Sequence, residues 1–153
     1  MDVTDRRILK ELTQNARITG AQIARKIHLS VPAVSERLRK LDKSGAIDYY
    51  TVRVNRNQLD FKLLAYIQVW LDHTKASQTK DYILRLDEVL ECHHTAGDCD
   101  LLLKVLVRDT AELEELLAKK IKGNESITKT STTIVLSTYK ELINRESNET
   151  EGS

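Results

Sequence analysis

Ser35, Glu36, Arg39, Lys40 and Lys43 recur at spacings that put them on the outward side of one helix, because Val34, Leu38 and Leu41 (i, i+4, i+7) claim the inward side. Pro32 and Ala33 stand at the N-terminal end of the same surface. A surface that is small and polar at its start and basic further on suits a helix entering the major groove of DNA by its N-terminus. Arg can grip guanine O6 and N7 with two N–H groups, and a serine hydroxyl serves either kind of base edge. Ser35 and Arg39 are therefore the expected base-edge readers. Lys40 and Lys43, with Arg17 and Arg25 nearby in the chain, are better suited to phosphates, which position a protein without specifying sequence. The plain alternative is a solvated face, in which Glu36 pairs with Arg39 or Lys40 at i+3 and i+4. Arg37 lies at the edge of the apolar stripe and has the place of a structural ion-pair partner.

The elements that would position this face carry strong end signals. Asp2 is a plausible N-cap with Asp5 three residues on, and Ile8, Leu9 and Leu12 follow at helical spacing, predicting a helix over 3–14. Thr19-Gly20-Ala21-Gln22 has the form of a capping box and opens a short helix whose buried side is Ile23, Ala24 and Ile27. His28-Leu29-Ser30 is a short turn. Ser30 is the next N-cap, Pro32 falls in the first turn, and Leu29 with Val34 has the spacing of a hydrophobic staple. That helix runs to about Ser44, with Gly45 beyond its end. Two short helices joined by a tight turn, after a supporting helix, make a helix-turn-helix pattern.

Charge separates this part from the rest. Residues 1–56 hold 12 Lys/Arg against 6 Asp/Glu, whereas residues 57–153 hold 12 against 17. The first part suits a polyanion and the second would be repelled by one. With 41% apolar and 31% charged residues the chain has the composition of a soluble globular protein. Its longest mostly apolar stretch, Leu63 to Leu71, is broken by Gln68 and too short to span a bilayer, so no membrane association is expected. The first residues contain no apolar signal core, and two cysteines do not make a disulfide framework, so a reduced, cytoplasmic setting is expected.

Beyond Gly45, Ile47 to Val54 alternates loosely and predicts a strand, followed by a polar hinge at Arg56-Asn57-Gln58. Then come a strand at Leu64–Leu71, a helix at Ala76–Leu86, a strand at Val89–Thr95, a turn at Gly97-Asp98 and a strand at Cys99–Val107. Thr110 is expected to cap a helix containing Leu113, Leu116, Leu117 and Ile121, ended by Gly123-Asn124, and a Thr-rich strand follows at Ile127–Leu136. The order is βαββαβ, a ferredoxin-like arrangement. Tyr66, Gln68 and Trp70 share one side of their strand and Ala65, Ile67, Val69 and Leu71 the other. Apolar content on both sides makes dimerisation through the open face an economical expectation. The fold class is thus α+β: a three-helix, winged-helix-like helix-turn-helix domain at 1–48, a strand and hinge linker at 49–62, a ferredoxin-like domain at 63–141 and a disordered acidic tail at 142–153.

Cys92, His93, His94 and Cys99 raise the question of a metal. Along a strand Cys92 and His94 face one way and His93 the other, and no recognised zinc spacing is present. Neither a metal site nor another cofactor is expected. If Thr95 faces Cys99 across the hairpin, Cys92 lies opposite Leu102, which places a disulfide out of reach. No nucleophile elbow, phosphate-binding glycine loop or metalloprotease motif occurs, so no enzymatic turnover is expected.

Several runs together resemble the Lrp/AsnC family of feast/famine regulators over about residues 2–141. They are Asp5-x-x-Ile8-Leu9-x-x-Leu12, Ala16-Arg17-Ile18, Ile23-Ala24, Leu29-Ser30, Glu36 to Leu41, and Gly45-x-Ile47-x-x-Tyr50. In the second part they are Gly97-Asp98-x-Asp100-x-Leu102-Leu103-Lys104-Val105 and Thr130-x-Thr132-x-Ile134-Val135-Leu136. The resemblance implies a cytoplasmic regulator that binds double-stranded DNA, whose dimers assemble further to tetramers or octamers. It also implies an amino acid or related metabolite bound between neighbouring second domains. On this chain the effector region falls on Gly97, Asp98, Asp100, Thr130 and Thr132. A hairpin amide can donate to a carboxylate, an aspartate can hold an ammonium, and a threonine hydroxyl serves either. Cys99 and Leu101 stand where members often carry aromatic residues, and Asp60 where many carry a hinge glycine. The alternative function is an architectural one, wrapping DNA with little effector response and shallow sequence discrimination.

Overall fold

The computed structural model describes residues 1–72, 74 and 76–144. Two compact units emerge: Met1–Arg53 with the chain from Lys140 onward, and Val54–Tyr139. Residues 145–153 of the tail expected to be disordered lie outside the described residues.

In the first unit helix α1 spans Val3–Gln14, α2 Gly20–Ile27 and α3 Val31–Lys43. Their ends form as the sequence predicts. Asp2 and Asp5 make a reciprocal capping box on α1, Thr19 and Gln22 make one on α2, and Ser30 caps α3 with Pro32 in its first turn. Two features terminate helices in the left-handed region. Gly45 (φ 72°) follows α3, where the Gly45 amide donates to the Asp42 carbonyl and the Ala46 amide to Leu41, satisfying the orphan carbonyls of a helix end. His28 (φ 57°, ψ 46°) closes α2, a conformation that costs an L-residue about 1–2 kcal/mol and that the sequence does not announce. Ile8, Ile23, Ala24, Val34 and Leu41 make the small core, with Leu9, Leu12, Ile27 and Leu38 packed on it.

The strand expected over Ile47 to Val54 does not form; residues 48–55 carry no regular structure. Alternation determines which side chains share a side, but a strand also needs a neighbour's N–H and C=O groups. Among the described residues no strand of this chain pairs with the segment, and Tyr49, Tyr50, Val52 and Val54 stay exposed.

The second unit is a four-stranded antiparallel sheet: β1 Leu63–Leu71, β2 Val89–His94, β3 Leu101–Val107 and β4 Ile127–Ile134, in the order β2-β3-β1-β4. Helix α4 (Ala76–Ile83) joins β1 to β2, and α5 (Thr110–Glu115, continuing as a π-helical turn over Leu116–Ile121) joins β3 to β4. This is the expected α+β, ferredoxin-like connectivity. One face is the core: Ala65, Ile67 and Val69 of β1 and Leu101, Leu103, Val105 and Val107 of β3 pack with Ile83, Leu113, Leu116 and Ile121 of the helices. Fully burying a side chain such as Ile67 contributes about 1.5–3 kcal/mol.

Two local expectations change, at Thr110 and at Cys92, and two further features emerge. The N-cap of α5 is Asp109, whose carboxylate accepts from the Glu112 amide, so Thr110 is the first helical residue instead of the cap. A carboxylate at that position also answers the helix dipole. The π-helical turn has a packing reason. In a regular helix a five-residue step turns a side chain roughly 140° away, whereas here Leu116 and Ile121 are both buried in the same core. Cys92 pairs with Leu103 and His93 with Leu102, one residue off the expected register, because the Thr95 amide donates to the Asp100 carbonyl while only its hydroxyl reaches the Cys99 carbonyl, and the ladder slips again between Val89 and Glu91. The two cysteines are free thiols. Finally, Asp60, where a hinge glycine was noted as common, adopts φ 61° and ψ 9° after a 3-10 turn at Arg56–Leu59.

Candidate functional site

The tight connection between α2 and α3 aims the outward face of α3. The Leu29 amide donates to the Ala24 carbonyl across His28, and the Ser30 hydroxyl accepts from the Ala33 amide at 3.3 Å. Val34 and Leu41 are buried beneath, and Leu38 packs beside them. Pro32, Ser35, Glu36, Arg39, Lys40 and Lys43 are left exposed, and Ala33 is half-buried. Ser35 lies by the first residue of α2, its Oγ 3.9 Å from where a Cβ on Gly20 would be.

Ion pairs tie the frame together and decide which cations remain available. Arg37 reaches from α3 to α1, where Nη1 donates to Asp2 and to Asp5, each at 2.7 Å. It is the structural partner its position suggested. A second tie, Lys26 on α2 to Glu11 on α1, was not foreseen, since no local spacing relates residues so far apart in sequence. Together these pairs pin α2 and α3 to the supporting helix. The Asp5 amide and the Arg37 guanidinium hold the Asp2 carboxyl below the usual carboxylate range.

Arg39, the expected base reader, is forked onto its own helix. Nε donates to Glu36 Oε2 at 2.9 Å and Nη2 to Oε1 at 2.6 Å. Lys40 Nζ stands 3.8 Å from the same carboxylate. The guanidinium holds the Glu36 carboxyl below its usual range, with smaller contributions from Lys40 and Lys43. Arg17 and Arg25 are exposed, and neither side chain has a hydrogen-bonded or ion-paired partner among the described residues. The structure therefore brings Glu36, Arg39 and Lys40 into one cluster and leaves Arg17 and Arg25 as separate cations.

In the second unit Asp100 is engaged in backbone chemistry. Its amide donates to the Val69 carbonyl at 3.0 Å and its Oδ2 accepts from the Leu71 amide at 2.7 Å, just where the β1–β4 register shifts. Gly97 and Asp98 are exposed at the tip, and space around the Gly97 α-carbon is open. Thr130 pairs with Val69 and Thr132 with Ile67, so both threonines share the helix-covered side and are half-buried. Gly97, Asp98, Asp100 and Thr130 sit toward one end of the sheet, whereas Thr132 lies opposite Ile67 in the middle of β1. Within one chain, however, Asp100 and Thr130 flank β1 from opposite sides, about 10 Å apart by two strand spacings. No group of three or more His, Cys, Asp or Glu capable of holding a metal occurs among the described residues. Nor is any described helix long and apolar enough to cross a membrane.

Comparison with known proteins is consistent across both units. Residues 1–48 match the winged helix-turn-helix DNA-binding family model and residues 64–144 the Lrp/AsnC ligand binding domain. Over 144 residues the chain is 31% identical to the leucine-responsive regulatory proteins of Klebsiella pneumoniae and of Escherichia coli strain K12, covering 92% of this chain and 88% of each relative. Among solved structures it is similar to E. coli AsnC (29% identity, TM-score 0.87, 92% of this chain and 95% of that one). A transcriptional regulator from Neisseria meningitidis, solved as an L-Met complex, shares the fold at 23% identity with a TM-score of 0.88 over 94% of both chains. With a helix-turn-helix domain ahead of a ligand-binding domain in this order, the chain belongs to the Lrp/AsnC family of transcriptional regulators.

Proposed function

We propose that this regulator reads its operator through α3, with Ser35 and Arg39 at base edges, Pro32, Ala33 and Glu36 at the groove-facing surface, and Lys40, Lys43, Arg17 and Arg25 at phosphates. The observation that carries the reading is the outward face of α3: a row of exposed polar and basic side chains on a helix whose other side is anchored by Val34, Leu41 and the Arg37 ion pairs. It works as a homo-oligomer, at least a dimer, because paired readers engage two half-sites. The dimer forms through the uncovered sheet face, where Tyr66, Gln68 and Trp70 sit beside Leu102, Lys104 and Leu106. That face carries its own polar fastening, with Glu91 bonded to Lys104 at 3.0 Å and to His93 at 3.1 Å.

The effector is an amino acid, in keeping with the L-Met complex of the Neisseria relative. It is held at Gly97, Asp98 and Asp100 of one copy and Thr130 and Thr132 of a neighbour, since within one chain these groups are divided by β1. The protein acts by binding, without turnover or cofactor, in the cytoplasm.

The test is fluorescence anisotropy on the DNA upstream of the protein's own gene against scrambled DNA, across a salt series, with wild type and Arg39→Ala. Tight preferential binding that weakens steeply with salt, and that Arg39→Ala removes while circular dichroism is unchanged, supports the reading. Wild-type affinity in Arg39→Ala overturns the α3 assignment. Equal affinity for both DNAs favours an architectural, DNA-wrapping role. Amino acids added singly then identify the effector.

A further inference from the structure

The pairing of Glu36 with Arg39 has the geometry of the contact Arg39 would make with a base. A guanidinium edge meets guanine O6 and N7 as two parallel N–H donors. In the free protein that same edge, Nε and Nη2, is filled by the two oxygens of Glu36 at 2.9 and 2.6 Å. The ion pair is exposed on both sides, with side-chain exposures of 51% and 48%, so it is easily opened. A guanine presents two acceptors at matched spacing and can displace the carboxylate. A phosphate also offers two acceptor oxygens, but it stands on the groove wall, away from the base edges toward which the outward face of α3 directs Arg39.

From this we propose that Glu36 is a specificity-determining residue: it keeps Arg39 closed on non-cognate DNA, so that Arg39 adds affinity only where a guanine takes it. The inference rests on the α3 reading above and deepens it. On scrambled DNA the clasp stays shut, and Arg39 is not among the cations that neutralise phosphates. On the operator the clasp opens, and Arg39 takes the guanine edge. Arg17, Arg25 and Lys43, none of them forked in this way, supply the sequence-independent attraction on both.

The consequence is measurable because a phosphate contact has its own salt signature. Each phosphate neutralised steepens the fall of log affinity with log salt by about 0.9. Glu36→Gln keeps the side-chain length and removes the charge that holds the fork. It is expected to tighten binding to scrambled DNA at least threefold and steepen its salt slope by about one unit. The operator should gain less, so the operator-to-scrambled ratio falls. In the double variant Glu36→Gln with Arg39→Ala, the gain on scrambled DNA should vanish. Arg39→Ala alone should weaken the operator more than scrambled DNA, since both feel the Glu36 charge it uncovers and only the operator also loses the guanine contact.

Equal tightening on both DNAs in Glu36→Gln would overturn the proposal, since that is simple loss of a like charge. A gain on scrambled DNA that survives in the double variant would overturn it as well, and so would an unchanged ratio. If Arg39→Ala leaves operator binding intact, it is the α3 reading itself that has failed. All three variants are at exposed positions, and circular dichroism checks that they fold.

Discussion

The two units of this chain are organised by different physics. The first rests on a core of five buried residues, Ile8, Ile23, Ala24, Val34 and Leu41, and its geometry is specified by helix ends: two capping boxes, a serine cap and a left-handed exit at Gly45. The second rests, among the described residues, on twelve buried ones gathered from strands and helices far apart in sequence. In the first, each instruction is local and lies within a few residues of the turn it governs. In the second, the instruction is a pairing between strands, and the local signals only permit it. A reader of DNA needs its recognition helix aimed, which caps and ion pairs achieve. A ligand-binding domain needs a stiff platform, which a ladder of backbone bonds achieves.

The sharpest way to break this comparison is to cut one core at a time. Ile67→Ala and Ile23→Ala should each cost about 3–4 kcal/mol, as for other fully buried aliphatic truncations. Trp70, the sole tryptophan, reports the sheet unit. In urea, Ile67→Ala should shift the Trp70 fluorescence midpoint strongly. Ile23→Ala should leave that midpoint in place while DNA binding is lost. If Ile23→Ala moves the Trp70 transition equally, the units unfold as one block and the contrast drawn here is wrong.

Two glycines sharpen it further, since one answers a local demand and the other a packing demand. A Cβ on Gly123 would lie 2.5 Å from the Lys119 carbonyl oxygen, so Gly123→Ala must displace the end of the α5 π turn, at about 2–3 kcal/mol. Gly45 has open space but φ 72°, so Gly45→Ala should cost only the left-handed backbone, about 1 kcal/mol. Thermal denaturation of the two variants orders these effects. A larger loss at Gly45 would contradict the assignment.

The smallest effect is electrostatic. The Asp2 carboxyl is held below its ordinary range by the Asp5 amide and the Arg37 guanidinium. A depressed acid contributes stability above its unfolded pKa and loses it as pH falls through the folded value. The first unit should therefore weaken as pH drops below about 4. Asp2→Asn should flatten that acid limb, read from helical circular dichroism against pH. An unaltered limb would show that the Asp2 contacts carry no weight in stability.

How much of this was legible in the sequence follows from the same division. The three helices of the first unit were readable to their caps, because Asp2, Thr19, Ser30 and Gly45 act on their immediate neighbours. The left-handed His28 was hidden, since histidine gives no sign of a positive φ. The strand over Ile47 to Val54 was misread because a half-apolar alternation says nothing about a partner. In the second unit the strand order followed from connectivity, but the one-residue shift at Cys92 depended on bulges that no periodicity encodes. At the site, the pairing of Glu36 with Arg39 is legible from its i+3 spacing as the solvated-face alternative, whereas its two-pronged form and the Lys26–Glu11 tie depend on side-chain packing that no local spacing encodes.

The sheet order described above leaves β2 and β4 as its two rims, and their chemistry bears on how copies of the chain can stack. An open rim of unpaired amides and carbonyls can recruit another strand, and that strand another, without limit. Here the rims carry Glu91, His93 and His94 on one side and Thr128, Lys129, Ser131 and Thr133 on the other, all exposed. Bringing such rims together would bury charge and hydroxyls with no assured partners. Growth in the plane of the sheet is thereby discouraged and association is steered out of the plane. Open-ended fibres built rim to rim are thereby disfavoured.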